Sequence, residues 1–451
     1  YFRRCESSER GESQWHGANG PLSVSKAKLQ NPLFDVFLEA GELAGQGLTE
    51  DPNGYNPEGV SRLDSTKRNG RRCSAAVAHL SPAMRRKNVE LVTNANVQRI
   101  LFEKNRAVGV EYISRGEVLR IEAKKEVILC GGAINSPHLL MLSGIGPAEQ
   151  LRKHSLDVLV NLPGVGKNLQ DHLETYVQQE CKTKDTLYSY VNKINMIRIG
   201  IQWFLNRSGP CSASFLEAGG FCKSSPEREY PNIQFHFFPA FVIDHGLVDP
   251  DRHGYQLHAS PNHPKSRGHI TLNSSNPYDY PKIQFNYLEH EDDLKQTIEC
   301  IHVARNILGQ DSLKPFAGEE IGPGEHAQTN ELFEEYIRSK AETAYHPSCT
   351  LKMGVDNMAV VDQKLKVHGI ENLRVVDASV MPEITSGNLN APTLMIAERA
   401  SEFINDLQNI VTHFLLIEGF SVGIGDIIAE DSINEEINNT IQENKKKINE
   451  L

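Results

Sequence analysis

In the stretch "AYHPSCTLKMG", residues 344–354, a histidine precedes proline among small residues. An imidazole with an unperturbed pKa of about 6.5 is mostly neutral at pH 7. It can therefore take the proton of a hydroxyl within about 3 Å, which would make His346 a general base. Taken alone, a His-Pro pair is more often structural, so residue type leaves both roles open. A second candidate is "EVILCGGAINSPHLLMLSGIG", where a continuously apolar strand runs into Gly131-Gly132. Paired glycines let the backbone turn tightly or approach a ligand, and Ser136-Pro137 reads as the cap and first residue of a helix. The bland reading is an ordinary strand-to-helix corner. Three glycine clusters fail as dinucleotide turns: "GIGPAE", "GVGKNL" and "GIGDII" carry Glu149, Leu169 and Ile428 where the third glycine belongs. The eight cysteines form no CxxC pairs, which points away from a zinc site and from a dense disulfide framework.

The surrounding elements follow from patterning. A chain of 451 residues exceeds the roughly 250–300 residues at which single cores stop growing, so two lobes are expected. "PLFDVFLEAGELA" has helical periodicity, and from Val89 onward short strands are predicted in "VELVT", "NVQRILFE", "AVGVEYI", "VLRIEA" and "EVILC". Between about 173 and 330, strands such as "IQFHFF" and "YQLHAS" alternate with a helix in "LKQTIECIHVARNIL". That suits an antiparallel sheet carrying helices. "NLRVVDAS" reads as a strand ending at Asp377, and Pro392 as the opening of a long helix. The net charge of −11 argues against a nucleic-acid partner, and the apolar runs are too short for a membrane span. No signal peptide is visible in "YFRRCESSER".

Six stretches, two of them those above, occur in a specific order: "GGAINSPHLLMLSGIG", "LPGVGKNLQDH", "PKSRGHITLNSSNPYDYPKIQFNYL", "YHPSCTLKMG", "LRVVDASVMP" and "SGNLNAPTLMIAERA". Together they resemble the glucose–methanol–choline (GMC) oxidoreductases over about residues 1–405. The insect-type glucose dehydrogenases look nearest, because of "NGRRCSAA" and "SGNLNAPT". The resemblance implies an α/β, α+β two-lobed fold: an FAD-binding domain, here 1–172 and 336–405, around a substrate domain, 173–335, with a six-stranded antiparallel sheet. It implies hydride transfer from an alcohol or sugar CH–OH group to flavin N5, with oxygen or a quinone as electron acceptor and a secreted location.

On the same resemblance, His346 is the base, and Asn388, ten residues before Glu398, holds the alcohol oxygen. Asn390 is the rival for that place, and could equally cap the helix. Asp377 and Ala378 match the family's FAD-contacting pair, Val97 its adenine contact, and Leu389 and Asn390 offer backbone amides to the flavin. For Val97 and Leu389, core packing is the alternative. The helix after Asn390 would aim its positive end at the flavin.

The sequence departs from the family pattern in three places. The family's first βαβ unit with its GxGxxG turn is not found, so this stretch is expected to be N-terminally truncated and to hold FAD weakly. Cys349 replaces a glycine and Leu351 a cysteine in the His346 motif. From about 406, "GFSVGIGDIIA" and the Asn/Gln-rich end resemble a segment of the RNA polymerase II largest subunit. The alternative to an alcohol oxidoreductase is therefore an inert GMC fragment or fusion that acts by interaction only.

Overall fold

The structure, a computed structural model, describes residues 1–418 apart from 244–247 and 249, and only the backbone of 405–418. It forms two compact units, Tyr1–Ala397 and Glu398–Leu451. In the second, Arg399 lies over the Phe403 ring at 4.4 Å and pairs with Glu402 at 2.9 Å. The polymerase-like tail expected from 406 lies outside the described residues, apart from the helical backbone to Glu418. Among the described residues no helix is long and apolar enough to cross a membrane.

Helix α1 (Pro32–Leu43) begins as its sequence dictates. Asn31 caps it by accepting from Leu33 N at 2.9 Å, and Pro32 occupies the first turn, where its missing N–H costs nothing. A three-stranded meander follows: β1 (Ala95–Glu103), β2 (Arg106–Ser114) and β3 (Glu117–Glu122). "VELVT" is not a strand; residues 89–93 are irregular and half-buried or exposed, because no strand among the described residues offers them a ladder. Strand β4 (Val127–Leu129) leads into helix α2 (Gly132–Leu142). That helix starts four residues before the expected Ser136-Pro137. Gly132 takes a positive φ of 78°, which completes the turn early and places Ser136 inside the helix.

The larger sheet holds six strands, all antiparallel, as expected. They are β5 (Leu173–Cys181), β6 (Ala218–Cys222), β7 (Ile233–Phe238), β8 (Gly254–Pro261), β9 (Ala317–Gly322) and the short β10 (Glu342–Thr343). The path runs β6-β7-β8-β5-β9, with β10 also on β5. The strand period of two divides this sheet into two chemically different faces. Phe235 and Phe237 of β7, with Tyr255, Leu257 and Ala259 of β8, are buried in the core with α1 and helix α3 (Glu291–Leu308). Phe37 of α1 stacks on Phe237 at 4.6 Å and meets Phe235 edge-on at 6.4 Å. The alternate positions are polar apart from Phe238: Gln234 and His236 on β7, Gln256 and His258 on β8. The register sets His258 opposite both His236 and Tyr176, so Tyr176 of β5, and Glu174 two residues before it, share this polar face.

A second, parallel pairing joins β4 to β11 (Leu373–Val375), Leu373 facing Val127 and Val375 facing Leu129. Both strands therefore end together, bringing the Gly131-Gly132 turn beside Asp377. The last helix, α4 (Asn390–Glu418), begins at Asn390, so Asn390 is its first residue rather than its cap, and Pro392 lies within the first turn.

Phe37 is fully buried between two aromatic rings, and truncation would leave a ring-sized cavity. Phe37→Ala is expected to lower the unfolding free energy by about 3–5 kcal/mol in denaturant titration.

Candidate active site

The 344–354 segment is held by backbone bonds on two sides. On one side Ala344 N donates to His172 O at 2.9 Å, and Ser348 and Gln170 exchange bonds of 2.9 and 3.2 Å. On the other, Cys349, Leu351 and Met353 donate to the carbonyls of Ala378, Ser379 and Val380 at 3.1, 2.8 and 2.8 Å. Thr350 Oγ1 adds a 2.6 Å bond to Ala133 O at the start of α2. Residues 348 to 351 are fully buried as a result. Cys349, where a glycine was expected, adopts φ 73°, and its thiol lies inside the loop 3.3 Å from Ser348 Oγ. The left-handed conformation at a residue with a Cβ costs about 1–2 kcal/mol, which the surrounding bonds sustain. Burial pushes this thiol up to about 12, so it stays protonated and inert.

His346 is fixed at its backbone by Asp171, whose Oδ1 accepts from His346 N at 2.8 Å. The other Asp171 oxygen accepts from Tyr287 and Thr343. Burial pushes the Asp171 carboxyl up, opposed by these donors. The His346 ring makes two contacts. Its Nδ1 lies 3.0 Å from His172 Nδ1, and its Nε2 lies 3.1 Å from Asn388 Nδ2. Asn388 Oδ1 in turn accepts from Gln234 Nε2 at 3.0 Å, from the polar face of the sheet. His346 is half-buried and Asn388 exposed, so the pair opens to solvent on the amide side. Burial lowers the His346 pKa below its ordinary value, outweighing the upward pull of Asp171 and Glu174.

Behind this pair stands a buried polar row. Gln256 Oε1 accepts from Gln178 Nε2 at 2.9 Å and from Val242 N at 3.0 Å, so its Nε2 donates to His258 Nε2. That leaves His258 Nδ1–H for Glu174 Oε1, 2.8 Å away. The row thus ends with an imidazole N–H donated to the Glu174 carboxylate. Burial pushes the Glu174 carboxyl up, but its contact with His258 outweighs that and holds it below the ordinary carboxylate range. His236 is driven down to about 4 by burial and stays neutral.

The expected cofactor residues fall in two places. Val97 is partly exposed on the wall of a cavity of about 1120 Å³, together with Asn96, Cys130, Gly131, Asn135 and Ser136. His138 Nε2, on the same wall, is buried without a hydrogen-bond partner, as a polar group completed by a ligand would be. A side chain at Gly131 would meet Ser136 N at 3.1 Å, so the turn leaves backbone, not side chain, at that wall. Asp377 is buried and spent internally: Oδ2 accepts from Gly132 N at 2.9 Å and Ser136 Oγ at 2.6 Å, and Oδ1 accepts from Ser379 N at 2.8 Å. Ala378 follows it at the turn that carries the 349–353 ladder. Leu389 is buried and Asn390 exposed at the start of α4. Of the two asparagines, Asn388 and not Asn390 contacts His346. Sequence reasoning missed His172, Glu174, Gln234, His236 and His258; for the last three the signal was the polar residue at every second place of "IQFHFF" and "YQLHAS".

An imidazole with a lowered pKa beside a hydrogen-bonding amide is an arrangement that can deprotonate a hydroxyl while a cofactor takes the hydride. The chain belongs to the GMC oxidoreductase family, whose models match residues 1–174 and 264–397. Over 406 residues it is 50% identical to the mitochondrial choline dehydrogenase of Homo sapiens, covering 90% of this chain and 68% of that protein. It is 47% identical to the oxygen-dependent choline dehydrogenase of Brucella ovis, covering 90% and 74%. A pyridoxine 4-oxidase from Mesorbium loti superposes with a TM-score of 0.79 at 29% identity, over 89% of this chain and 75% of that one. A formate oxidase variant from Aspergillus oryzae RIB40 shares the fold, with a TM-score of 0.85 at 24% identity over 90% and 77%. The chain is accordingly an FAD-dependent oxidoreductase acting on CH–OH groups of small-molecule alcohols. The curated relatives named here are choline dehydrogenases, whereas the motifs had pointed to insect-type glucose dehydrogenases.

Asp377 ties β4, α2 and the 378–380 turn through one carboxylate. Asp377→Ala orphans the half-buried Gly132 and the buried Ser379 amides, and is expected to cost about 3 kcal/mol in unfolding free energy, with a parallel loss of bound flavin read by absorbance.

Proposed function

We propose that this chain oxidises a quaternary-ammonium alcohol of the choline type, with His346 as general base and Asn388 as the holder of the alcohol oxygen. The observation that carries the reading is the His346–Asn388 contact of 3.1 Å on the open side of the site. FAD, when bound, supplies the acceptor for the hydride leaving the alcohol carbon. The protein does the rest. The alcohol oxygen replaces His346 Nε2 as the partner of Asn388 Nδ2–H, and its proton passes to His346 Nε2. An amide cannot take that proton, so the division of labour follows from residue type. The two electrons leave to oxygen or a quinone.

Val97, the Gly131 turn and Ala378 are assigned to the cofactor, with Leu389 and Asn390 as backbone donors at the start of α4. Asp377 serves by shaping the turn, since its carboxylate is fully used within the protein. On this reading 1–172 and 336–405 form the cofactor domain and 173–335 the substrate domain.

The choice of a cationic alcohol over a sugar is supported by the relatives at 50% and 47% identity, and by Glu174. Its carboxylate is held below the ordinary carboxylate range, which puts a negative charge on the polar face that also carries Gln234. A quaternary ammonium, which donates no hydrogen bond, would be held by that charge and by the Tyr176 ring, which lies 5.3 Å from His258 between centroids.

His346→Gln is expected to lower kcat by about 10²–10⁴-fold with flavin still bound. The base must be neutral to act. Burial keeps it neutral to lower pH than a free imidazole, so kcat/KM falls only below the ordinary histidine range, and this acid limb vanishes in the variant. An unchanged kcat in the variant contradicts the assignment. For the substrate, Glu174→Gln is expected to raise KM for choline by roughly tenfold or more while leaving KM for uncharged alcohols alone. Turnover of glucose in preference to choline sinks the cationic reading.

A further inference from the structure

We propose that His172 is a positioning residue that fixes His346 as its Nδ1–H tautomer and so keeps the lone pair on Nε2, the nitrogen facing Asn388. The inference rests on the reading of His346 as the base and explains how that base is kept ready. Its starting point is a group whose role is not adjustable. His172 Nε2 lies 3.0 Å from the backbone carbonyl of Asn262, and a carbonyl can only accept. Asn262 itself is fully buried at the end of β8 and held by its N–H on Asn232 O at 2.8 Å, so this acceptor is fixed.

The proton of His172 therefore resides on Nε2, and its Nδ1 carries the lone pair. His346 Nδ1 lies 3.0 Å from that lone pair, with the two rings near perpendicular at 86°. Only a proton on His346 Nδ1 makes this contact favourable; two facing lone pairs would repel. A neutral imidazole carries one ring proton, so His346 Nε2 is left as an acceptor.

The opposite end of the site demands the same answer independently. Gln234 Nε2 donates to Asn388 Oδ1, which turns Asn388 Nδ2–H toward His346 Nε2 and again requires a lone pair there. Two chains of hydrogen bonds, one from β8 and one from β7, thus agree on one tautomer.

His172 is 1% exposed and driven down to about 4, by burial first and then by His346, so it stays neutral through the working range. The other charges facing the pair are Asp171 and Glu174, which favour a proton on His346, and His263, which disfavours one on His172. Without His172, the ring proton of His346 is free to move to Nε2, where it would meet the alcohol proton instead of accepting it. A catalytic histidine held in the wrong tautomer loses about 10⁴ in kcat in serine proteases, which shows how much such a contact can control.

The test separates tautomer from turnover. In the full chain labelled with ¹⁵N-histidine, with signals assigned through His172 and His346 variants, His346 is expected to show a pyrrole-type Nδ1 and a pyridine-type Nε2, and His172 the reverse. His172→Asn places an amide oxygen near the lost Nδ1 and keeps the acceptor; His172→Gln keeps only the bond toward Asn262; His172→Leu keeps neither. Turnover is expected to fall by roughly 10–100-fold in the Gln and Leu variants with KM little changed, and to recover in the Asn variant. The His346 pyrrole proton should leave Nδ1 in the Gln and Leu proteins alone. A pyrrole-type Nε2 at His346 in the unaltered protein overturns the proposal. So does an equal loss in all three variants with the tautomer unchanged, the result of a merely structural role. The nitrogen signals read the tautomer even if His346→Gln were to show that His346 is not the base.

Discussion

The contact between His346 Nε2 and Asn388 Nδ2 joins positions 42 residues apart, and most of the described structure is arranged to make it. The imidazole is held from behind by Asp171 and His172, and the amide from the side by Gln234. Neither side chain is anchored by its own element alone. His346 lies in a loop whose backbone bonds run to 170–172 and to 378–380, and the second of these turns is closed by Asp377. Removing any of these ties leaves the pair with the right residues and the wrong separation. Because reacting groups must be placed to within a fraction of an ångström, such redundancy is a requirement of the chemistry.

The six-stranded sheet supplies the other constraint. Strand periodicity gives one face to Phe235, Phe237, Tyr255 and Leu257, which bury against α1 and α3, and the other to Gln234, His236, Gln256 and His258. The same strands therefore provide both stability and a polar wall. That wall is expensive unless satisfied, and its members satisfy one another in a fixed direction of donation, from Gln178 through Gln256 and His258 to Glu174. The direction matters because it ends on a carboxylate, Glu174.

Much of this was legible in the sequence. The antiparallel sheet, α1 and the strand ending at Asp377 followed from periodicity, and His346 and Asn388 from the order of motifs. "VELVT" misled because alternation in a strand needs a partner, which residues 89–93 lack among the described residues. Ser136-Pro137 misled because Gly132, at positive φ, starts the helix earlier and frees Ser136 to bind Asp377 across 241 positions. The two-histidine contact could not be read at all. His172 was visible within "NLQDH", but its partners lie 90 and 174 positions away, and only the fold brings Asn262 and His346 to its two nitrogens.

The central claim is that His346 takes the hydroxyl proton, and chemical rescue tests it most directly. In His346→Ala with FAD bound, the rate of anaerobic flavin reduction by the alcohol should rise with added imidazole, in proportion to its neutral form and with the basicity of substituted imidazoles. A variant that reduces flavin at the unaltered rate without added base, or a rescue indifferent to the basicity of the added imidazole, would contradict the account.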